Sequence, residues 1–496
     1  MIFTSLIFLY FFLPVTLLVV YLAKKKFRNL LLLLASLIFY AWAGVSFVTI
    51  LIGSIVINYI SGILIGKAGS PGLRKFWFIA GIILNIFGLI IFKYLGFLEV
   101  NFNILISGFK LHPIHVNQIF LPLGISFFTF RGICYLITVK RNESPPNKNI
   151  IDLGLYLGFF PTLIAGPIDR YRHIEPQLIP GKSDATLFYS GVNRIALGLG
   201  KKVIISTPLG YVADHIFSSD ISIINLPLAW LGAVSYMLLI YYDFSGYTDM
   251  AIGIGRLFGF QLSENFNFPY ISRSIRDFWK RWHITLSTWL RDYLFLPVAY
   301  STSRKLKNER YFGLRVDNLI YAIAAMTTFC ICGFWHGAAW NYIIWGAFWG
   351  LLLLLERTKF GKKLDKGPAV FSHIYTLFFV LLAWVIFRSP DLKYAFGFLK
   401  IMFGFGGSKF EWIRFSGYTD REFLIMVTIA VLGCTPLFNL LLKKLKNFIS
   451  VNEGVISKIA FHGYYIFSAV FIFAILVYST MTIITGTLQT FIYFRF

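Results

Sequence analysis

Acidic charge is scarce in this chain: 22 Asp and Glu stand against 46 Lys and Arg, and charged residues of both signs make up only 14% of the 496. A soluble globule carries about 25% charged residues, so with 57% apolar residues and a mean hydropathy of +0.71 the composition excludes one. Cysteine is scarce too. Cys134, Cys330, Cys332 and Cys434 all sit in apolar surroundings and supply no disulfide framework, and the Cys-x-Cys pair is not a zinc spacing, so they read as small buried side chains. The chain has no His-Glu-x-x-His pattern, no glycine-rich phosphate loop ending in Lys-Ser or Lys-Thr, and no Gly-x-Ser-x-Gly elbow. These absences argue against zinc hydrolysis, a nucleotide-cradling loop and a Ser-His-Asp hydrolase, and no metal is expected. Internal repeats and low-complexity linkers are missing, which predicts a single polytopic domain over residues 1–496. The first apolar run, Met1–Ala23, has no basic region before it and no small-residue cleavage site after it, so it is expected to stay as a first span.

Long apolar runs are abundant, and they recur to the end of the chain. The net charge of +24 would suggest a nucleic-acid partner in a soluble protein. Here the cations collect in short runs between apolar segments, which the positive-inside rule explains better, with anionic head groups as a weaker second reason. Lys24–Arg28, Lys67–Lys75 and Lys140–Lys148 fall on one side and the cation-poor stretch Glu99–Gln118 on the other. The first third therefore reads as alternating spans with the N-terminus outside. In the middle, Leu153–Ile164 is short for a span and ends at Ala165-Gly166-Pro167, the pattern of a broken or re-entrant helix. Ile223–Phe260 is about two spans long, and Phe423–Leu442 and Ile459–Ile484 are later spans. The predicted fold class is an all-α integral membrane protein, a polytopic bundle of about eleven or twelve spanning helices with re-entrant pieces.

Three motifs carry candidate chemistry. His336 lies in Gly333-Phe334-Trp335-His336-Gly337, inside an apolar stretch from Leu319 to Leu355, and is 19 residues from Asp317 and 20 from Glu356. A titratable group at membrane depth is a functional-site hypothesis by default, and its flanking glycines let another backbone or a ligand approach closely. The second motif runs from Phe278 to Asp292. Drawn as one helix, Trp279, Trp282, Leu286, Trp289 and Tyr293 form an aromatic stripe, and Lys280, His283, Ser287 and Arg291 a polar face. Asn265-Phe266-Asn267-Phe268-Pro269-Tyr270 precedes it. Residue chemistry alone leaves both function and interfacial anchoring open for this helix. The third motif, Tyr242-Asp243-Phe244-Ser245-Gly246-Tyr247-Thr248-Asp249, places two carboxylates in an apolar run. Buried carboxylates need partners, and the cations of the Trp279–Arg291 segment are candidates. A salt bridge and a direct chemical role both stay open. With metal and nucleophilic serine set aside, the remaining chemistry is general-base catalysis by histidine on an incoming hydroxyl.

At these residues the sequence resembles the membrane-bound O-acyltransferase family, in its bacterial branch. The matching pieces are Leu121–Phe130, Ile164–Ile168, Tyr242–Asp249, the Phe278–Asp292 segment and Trp335-His336-Gly337, over a family-like core of about 120–405. The resemblance implies a bundle around a central tunnel, with His336 as the essential membrane-embedded histidine and His283 as the second catalytic position. It implies acetyl-CoA as cytoplasmic donor, bound by a set drawn from Lys280, Arg281, Trp282, Ser287, Arg291, Asn265, Asp243 and Trp335. Among these, Lys280, Arg281 and Arg291 would attract phosphates, and Trp335 would exclude water. It also implies an inner-membrane location, a secreted or anchored SGNH-type partner enzyme and a polysaccharide acceptor. Chain length and the Ile374–Arg388 segment resemble the alginate type, yet Val298-Ala299-Tyr300-Ser301 departs from that type's glycine-rich continuation and leaves the acceptor open. The alternatives are D-alanyl transfer to teichoic acid, a proton-coupled transporter using Asp243, Asp249 and His336, and a scaffold for polysaccharide secretion.

The charge pattern makes a direct prediction. A cysteine placed at Lys26 should resist an impermeant thiol reagent in intact spheroplasts and react after permeabilisation; labelling in intact spheroplasts would invert the topology.

Overall fold

The computed structural model describes residues 1–117, 119–179, 184–409, 415–451 and 455–486. Their regular structure is helical apart from one antiparallel hairpin, β1 (Arg310–Tyr311) with β2 (Leu314–Arg315). Among the described residues, seven helices are long and apolar enough to cross a membrane. They become eight if the pair Arg421–Gly433 and Leu437–Leu445, bent by 66°, forms one span. The protein is thus a multi-pass membrane protein, and among the described residues fewer helices reach full spanning length than the about eleven or twelve suggested by run length.

The difference lies in where the apolar runs break. The Met1–Ala23 run yields only a short apolar helix, α1 (Phe8–Leu22), and the next run yields 14 residues in α2 (Arg28–Ala41). α3 (Val45–Lys67) is a full span, and α4 (Pro71–Ser107) continues for 37 residues through a π turn. The start of the stretch expected as an external loop, Glu99–Gln118, is therefore helical, and Gln118 lies outside the described residues. Gly124, at φ +75°, delays α5 (Ile125–Lys140), which keeps 16 residues. The next run breaks as expected: α6 (Ile150–Gly158) stops at Phe159, and a single turn, Phe160–Leu163, follows. After α7 (Ala185–Ser218), the run expected to make two spans is one 32-residue helix, α8 (Leu226–Leu257), about 48 Å long.

The chain divides into two compact units, residues 1–195 with 248–263 and residues 196–247 with 264–496. In the first, two of the motifs meet. A side chain at Gly124 would strike the Leu163 carbonyl at 2.3 Å, so only glycine lets these segments touch. Arg131, buried just after Phe130, donates to the carbonyls of Phe127, Tyr156 and Thr162 and to Thr162 Oγ1. That guanidinium holds the broken helix against α5. Between α3 and α4, Asn58 and Asn85 exchange amide hydrogen bonds of 3.1 Å in both directions. In the same unit Arg194 pairs with Asp249 at 2.6 Å.

In the second unit Asp243 is 1% exposed and pairs with the equally buried Lys202, while Ser206 lies 3.3 Å from the same carboxylate. Lys202 and Ser206 are carried by a π turn, Lys201–Ser206, within α7. The carboxylate partners are thus Lys202 and Arg194, and not the cations of the tryptophan segment. Gly246 brings the backbones together, since a side chain there would lie 2.7 Å from the Gly198 carbonyl.

A buried ion pair is costly to break from one side. Lys202→Met strips Asp243 of its lysine and is expected to destabilise the protein by about 3–5 kcal/mol, while adding Asp243→Leu should restore most of the loss. Thermal unfolding in detergent measures both; equal loss in the single and double variants would deny the pair.

Candidate functional site

The tryptophan segment is two helices. α9 (Ile275–Arg281) starts at the N-cap Ser274, whose hydroxyl accepts from Asp277 N–H at 3.0 Å. The buried Glu356 carboxylate also accepts from the N–H groups of Ile275 at 2.5 Å and Arg276 at 3.1 Å, a favourable place for a negative charge. The helix stops at Trp282, which is extended, and His283 takes the left-handed conformation at φ 42°, ψ 55° before α10 (Ile284–Leu290) begins. A bulky residue in that region is uncommon and marks a site held by its surroundings. Residues 265–267 run alongside the break, with Ile284 N–H on the Asn265 carbonyl at 2.9 Å and Asn267 N–H on the Arg281 carbonyl at 3.0 Å.

Asn265 fixes the chemistry of His283. Its Oδ1 accepts from Thr285 N–H at 3.2 Å and Thr285 Oγ1–H at 2.9 Å, and lies 3.0 Å from His283 Nδ1. A backbone N–H can only donate, so the atom that receives it is the amide oxygen, and the third contact requires a proton on Nδ1. The neutral ring then carries its lone pair on Nε2, which is buried and has no hydrogen-bond partner among the described residues. The segment lies outside the long apolar spans, and burial pushes the imidazole pKa down to about 3. His283 is therefore a neutral, oriented base above that pH.

His336 is the last residue of α11 (Val316–His336). Gly337 is extended, and the chain turns back into α12 (Trp340–Glu356). The glycines around His336 admit another backbone: a side chain at Gly333 would meet the Tyr342 carbonyl at 2.0 Å, and one at Gly346 the Phe329 carbonyl at 2.0 Å. The imidazole is 7% exposed, with Trp335, Trp345 and Phe387 at 4.7, 5.2 and 5.3 Å between ring centroids. From Trp345 the ring contacts continue to Trp384 at 6.0 Å and from Trp384 to Trp282 at 4.9 Å, next in sequence to His283. Phe244, one residue from Asp243, packs its ring on His283 at 4.8 Å. One aromatic cluster thus joins the two histidines.

The break disperses the expected polar face. His283 is buried, Ser287 Oγ donates to the Trp282 carbonyl at 3.1 Å, and Lys280 and Arg291 are exposed, the latter 2.8 Å from Asp292. Arg281 lies 3.0 Å from Asp277. Trp282 and Trp335 are part of the buried aromatic wall, Asn265 holds His283, and Asp243 is occupied by Lys202. Glu356, Thr285, Lys202, Trp345 and Trp384 were not anticipated. Glu356 alone had a signal, as the acidic residue ending the apolar run.

Comparison with known proteins identifies the family. The model of the membrane-bound O-acyltransferase family matches residues 138–362. The chain is 40% identical over 450 residues to a probable alginate O-acetylase of Pseudomonas aeruginosa, covering 88% of this chain and 82% of that protein. It is 36% identical over 446 residues to the peptidoglycan O-acetyltransferase of Helicobacter pylori, covering 82% and 80%. The teichoic acid D-alanyltransferase of Bacillus subtilis is 32% identical over 303 residues, covering 57% of this chain and 72% of that protein.

The convergence on Asn265 is measurable. Asn265→Leu leaves three buried donors without their acceptor and should destabilise the protein by about 3 kcal/mol or more, against about 1 for Thr285→Val. Equal unfolding midpoints in detergent for Asn265→Leu and wild type would remove Asn265 from this role.

Proposed function

The chain belongs to the membrane-bound O-acyltransferase family, and from that premise we propose that it moves an acetyl group from cytoplasmic acetyl-CoA across the inner membrane for O-acetylation of an extracellular or periplasmic polysaccharide. That the protein is an acyltransferase follows from the family; donor, acceptor and residue roles are our reading. The observation that carries it is the pair of buried imidazoles, His336 and His283, on one aromatic cluster, one of them locked with its lone pair on Nε2. His336 takes the proton of the acceptor hydroxyl as its oxygen bonds to the acetyl carbonyl carbon. The carbon–sulfur bond of the thioester breaks, and a proton ends on the sulfur. The proton taken by His336 is the one passed to the departing sulfur, and His283, neutral with its lone pair on Nε2, positions the donor. Trp335, Trp345 and Trp384 keep water from the thioester.

Lys280 and Arg291 are the exposed cations offered to the donor's phosphates. Asn265 and Ser287 act through the Trp282–His283 break, and Asp243 with Lys202 is a buried support. The likeness to the alginate and peptidoglycan O-acetyltransferases spans both chains, whereas that to the D-alanyltransferase covers 57% of this one, which favours acetyl over D-alanyl transfer. A secreted or anchored SGNH-type enzyme receives the acetyl group outside, with the N-terminus of this chain on that same side.

Loss of a general base costs about 100-fold or more. His336→Ala is expected to remove polysaccharide acetylation in cells while protein level, checked by immunoblot, is kept; wild-type acetylation would sink the assignment. Asn265→Asp keeps the acceptor but adds a charge that favours the imidazolium, so the acid limb of the pH–rate profile should move to higher pH. Lys280→Glu and Arg291→Glu should weaken acetyl-CoA binding, and unchanged affinity in both would leave these cations as interfacial anchors.

A further inference from the structure

α11 and α12 form a hairpin with His336 at its closed end. At the open end, Arg357 donates to Asn318 Oδ1 at 2.9 Å and to the Asp317 carbonyl. Two basic structures border that open end. One is the β hairpin, whose register sets Arg310 directly opposite Arg315. Like charges facing each other across strands destabilise the pairing unless an anion lies between them. Glu309 and Asp317 flank the pair in sequence, and Asp317 reaches Arg315 at 3.7 Å with both side chains largely exposed. The hairpin tip is Phe312-Gly313, at φ 51° and 76°. A two-residue turn with both φ positive calls for Asn-Gly or Gly-Gly, yet Phe312 sits there 96% exposed.

The second structure is α13 (Lys359–Lys366), which joins α12 to the span α14 (Ala369–Arg388). At 100° per residue, Lys359, Lys362, Lys363 and Lys366 share one face, with Phe360, Gly361 and Leu364 opposite and Asp365 to one side. All four lysines are exposed. Phe360 packs on Tyr375 of α14 at 5.3 Å while staying 39% exposed. A side chain at Gly361 would lie 1.7 Å from the Glu356 carbonyl, so α13 is seated against the end of α12.

We propose that the β hairpin and α13 form a docking surface for the anionic head groups of the adjoining leaflet, with Phe312 inserted beneath them. A free phosphate or nucleotide would satisfy the cations alone. Only a lipid interface also takes an exposed phenylalanine at a strained tip and an amphipathic helix lying between two apolar elements. The seat of α13 on Glu356 ties this surface to α9, because the same residue's carboxylate caps that helix.

The test uses the full chain in nanodiscs of phosphatidylcholine with spin-labelled phosphatidylglycerol or spin-labelled phosphatidylcholine, reading the motionally restricted fraction of each label. Wild type should prefer phosphatidylglycerol several-fold. Glutamine at Lys359, Lys362, Lys363 and Lys366, or at Arg310 and Arg315, should abolish the preference, and arginine at the four lysine positions should keep it. Phe312→Gly relieves the backbone strain, so it should fold at least as well as wild type while lowering the preference. Equal retention of both labels by wild type would overturn the proposal. So would displacement of the phosphatidylglycerol label by orthophosphate or a nucleoside diphosphate at constant ionic strength, which would assign the surface to a soluble phosphate ligand. Amide exchange at Ile275 and Arg276 should slow in phosphatidylglycerol discs relative to phosphatidylcholine discs; equal rates would break the link to α9.

Discussion

Three donors converge on one oxygen at Asn265, and the geometry around His283 depends on it. In water such a cluster would be marginal. Inside a protein that replaces solvent with lipid and aromatic rings, each unmet donor costs on the order of 1–3 kcal/mol, so the amide oxygen decides the local fold. It holds Thr285 at the start of α10, holds the imidazole by Nδ1, and with the two backbone bonds of residues 265–267 keeps Trp282 and His283 out of helix. The left-handed φ of His283 is tolerated because these bonds over-determine it.

The same requirement explains the other polar groups within the apolar helices. Arg131 is satisfied by three carbonyls and a hydroxyl, Asn58 and Asn85 by each other, Asp243 by Lys202, and Asp249 by Arg194. All but Arg194, whose side chain is 26% exposed, are buried, and each ties together segments far apart in sequence. Glu356 belongs to the same set: it ends one apolar helix and caps the helix that leads to His283. Apolar packing supplies the cohesion, and these few polar contacts select which helices meet and in what register.

Around the histidines the packing is aromatic. Trp345 touches His336, Trp384 touches both Trp345 and Trp282, and Phe244 touches His283. Large flat rings with few rotatable bonds make a rigid wall at low entropic cost. Such a wall suits acyl transfer, in which the acyl group must reach its acceptor before it reaches water.

Much of this was legible in the sequence. Composition and apolar runs settle that the chain is a helical membrane protein, and the isolated histidine midway between Asp317 and Glu356 stands out because no Asp, Glu, Lys, Arg or other His lies in that run. Spacing also exposes the interruption at Ala165-Gly166-Pro167. The count of full spans was not legible, because Gly124 and Gly337 interrupt helices through backbone conformation that run length does not register. Nor was the polar face of residues 280–291. Periodicity assumes a continuous helix, and a histidine carries no signal that it will sit at positive φ. Asn265, 18 residues before His283, and Glu356, 81 after Ile275, act through contacts that only the folded chain creates. The sequence by itself determined which residues are too costly to be idle in a bilayer. The tertiary structure decided which partner each one found, because desolvation enforces pairing without specifying the mate.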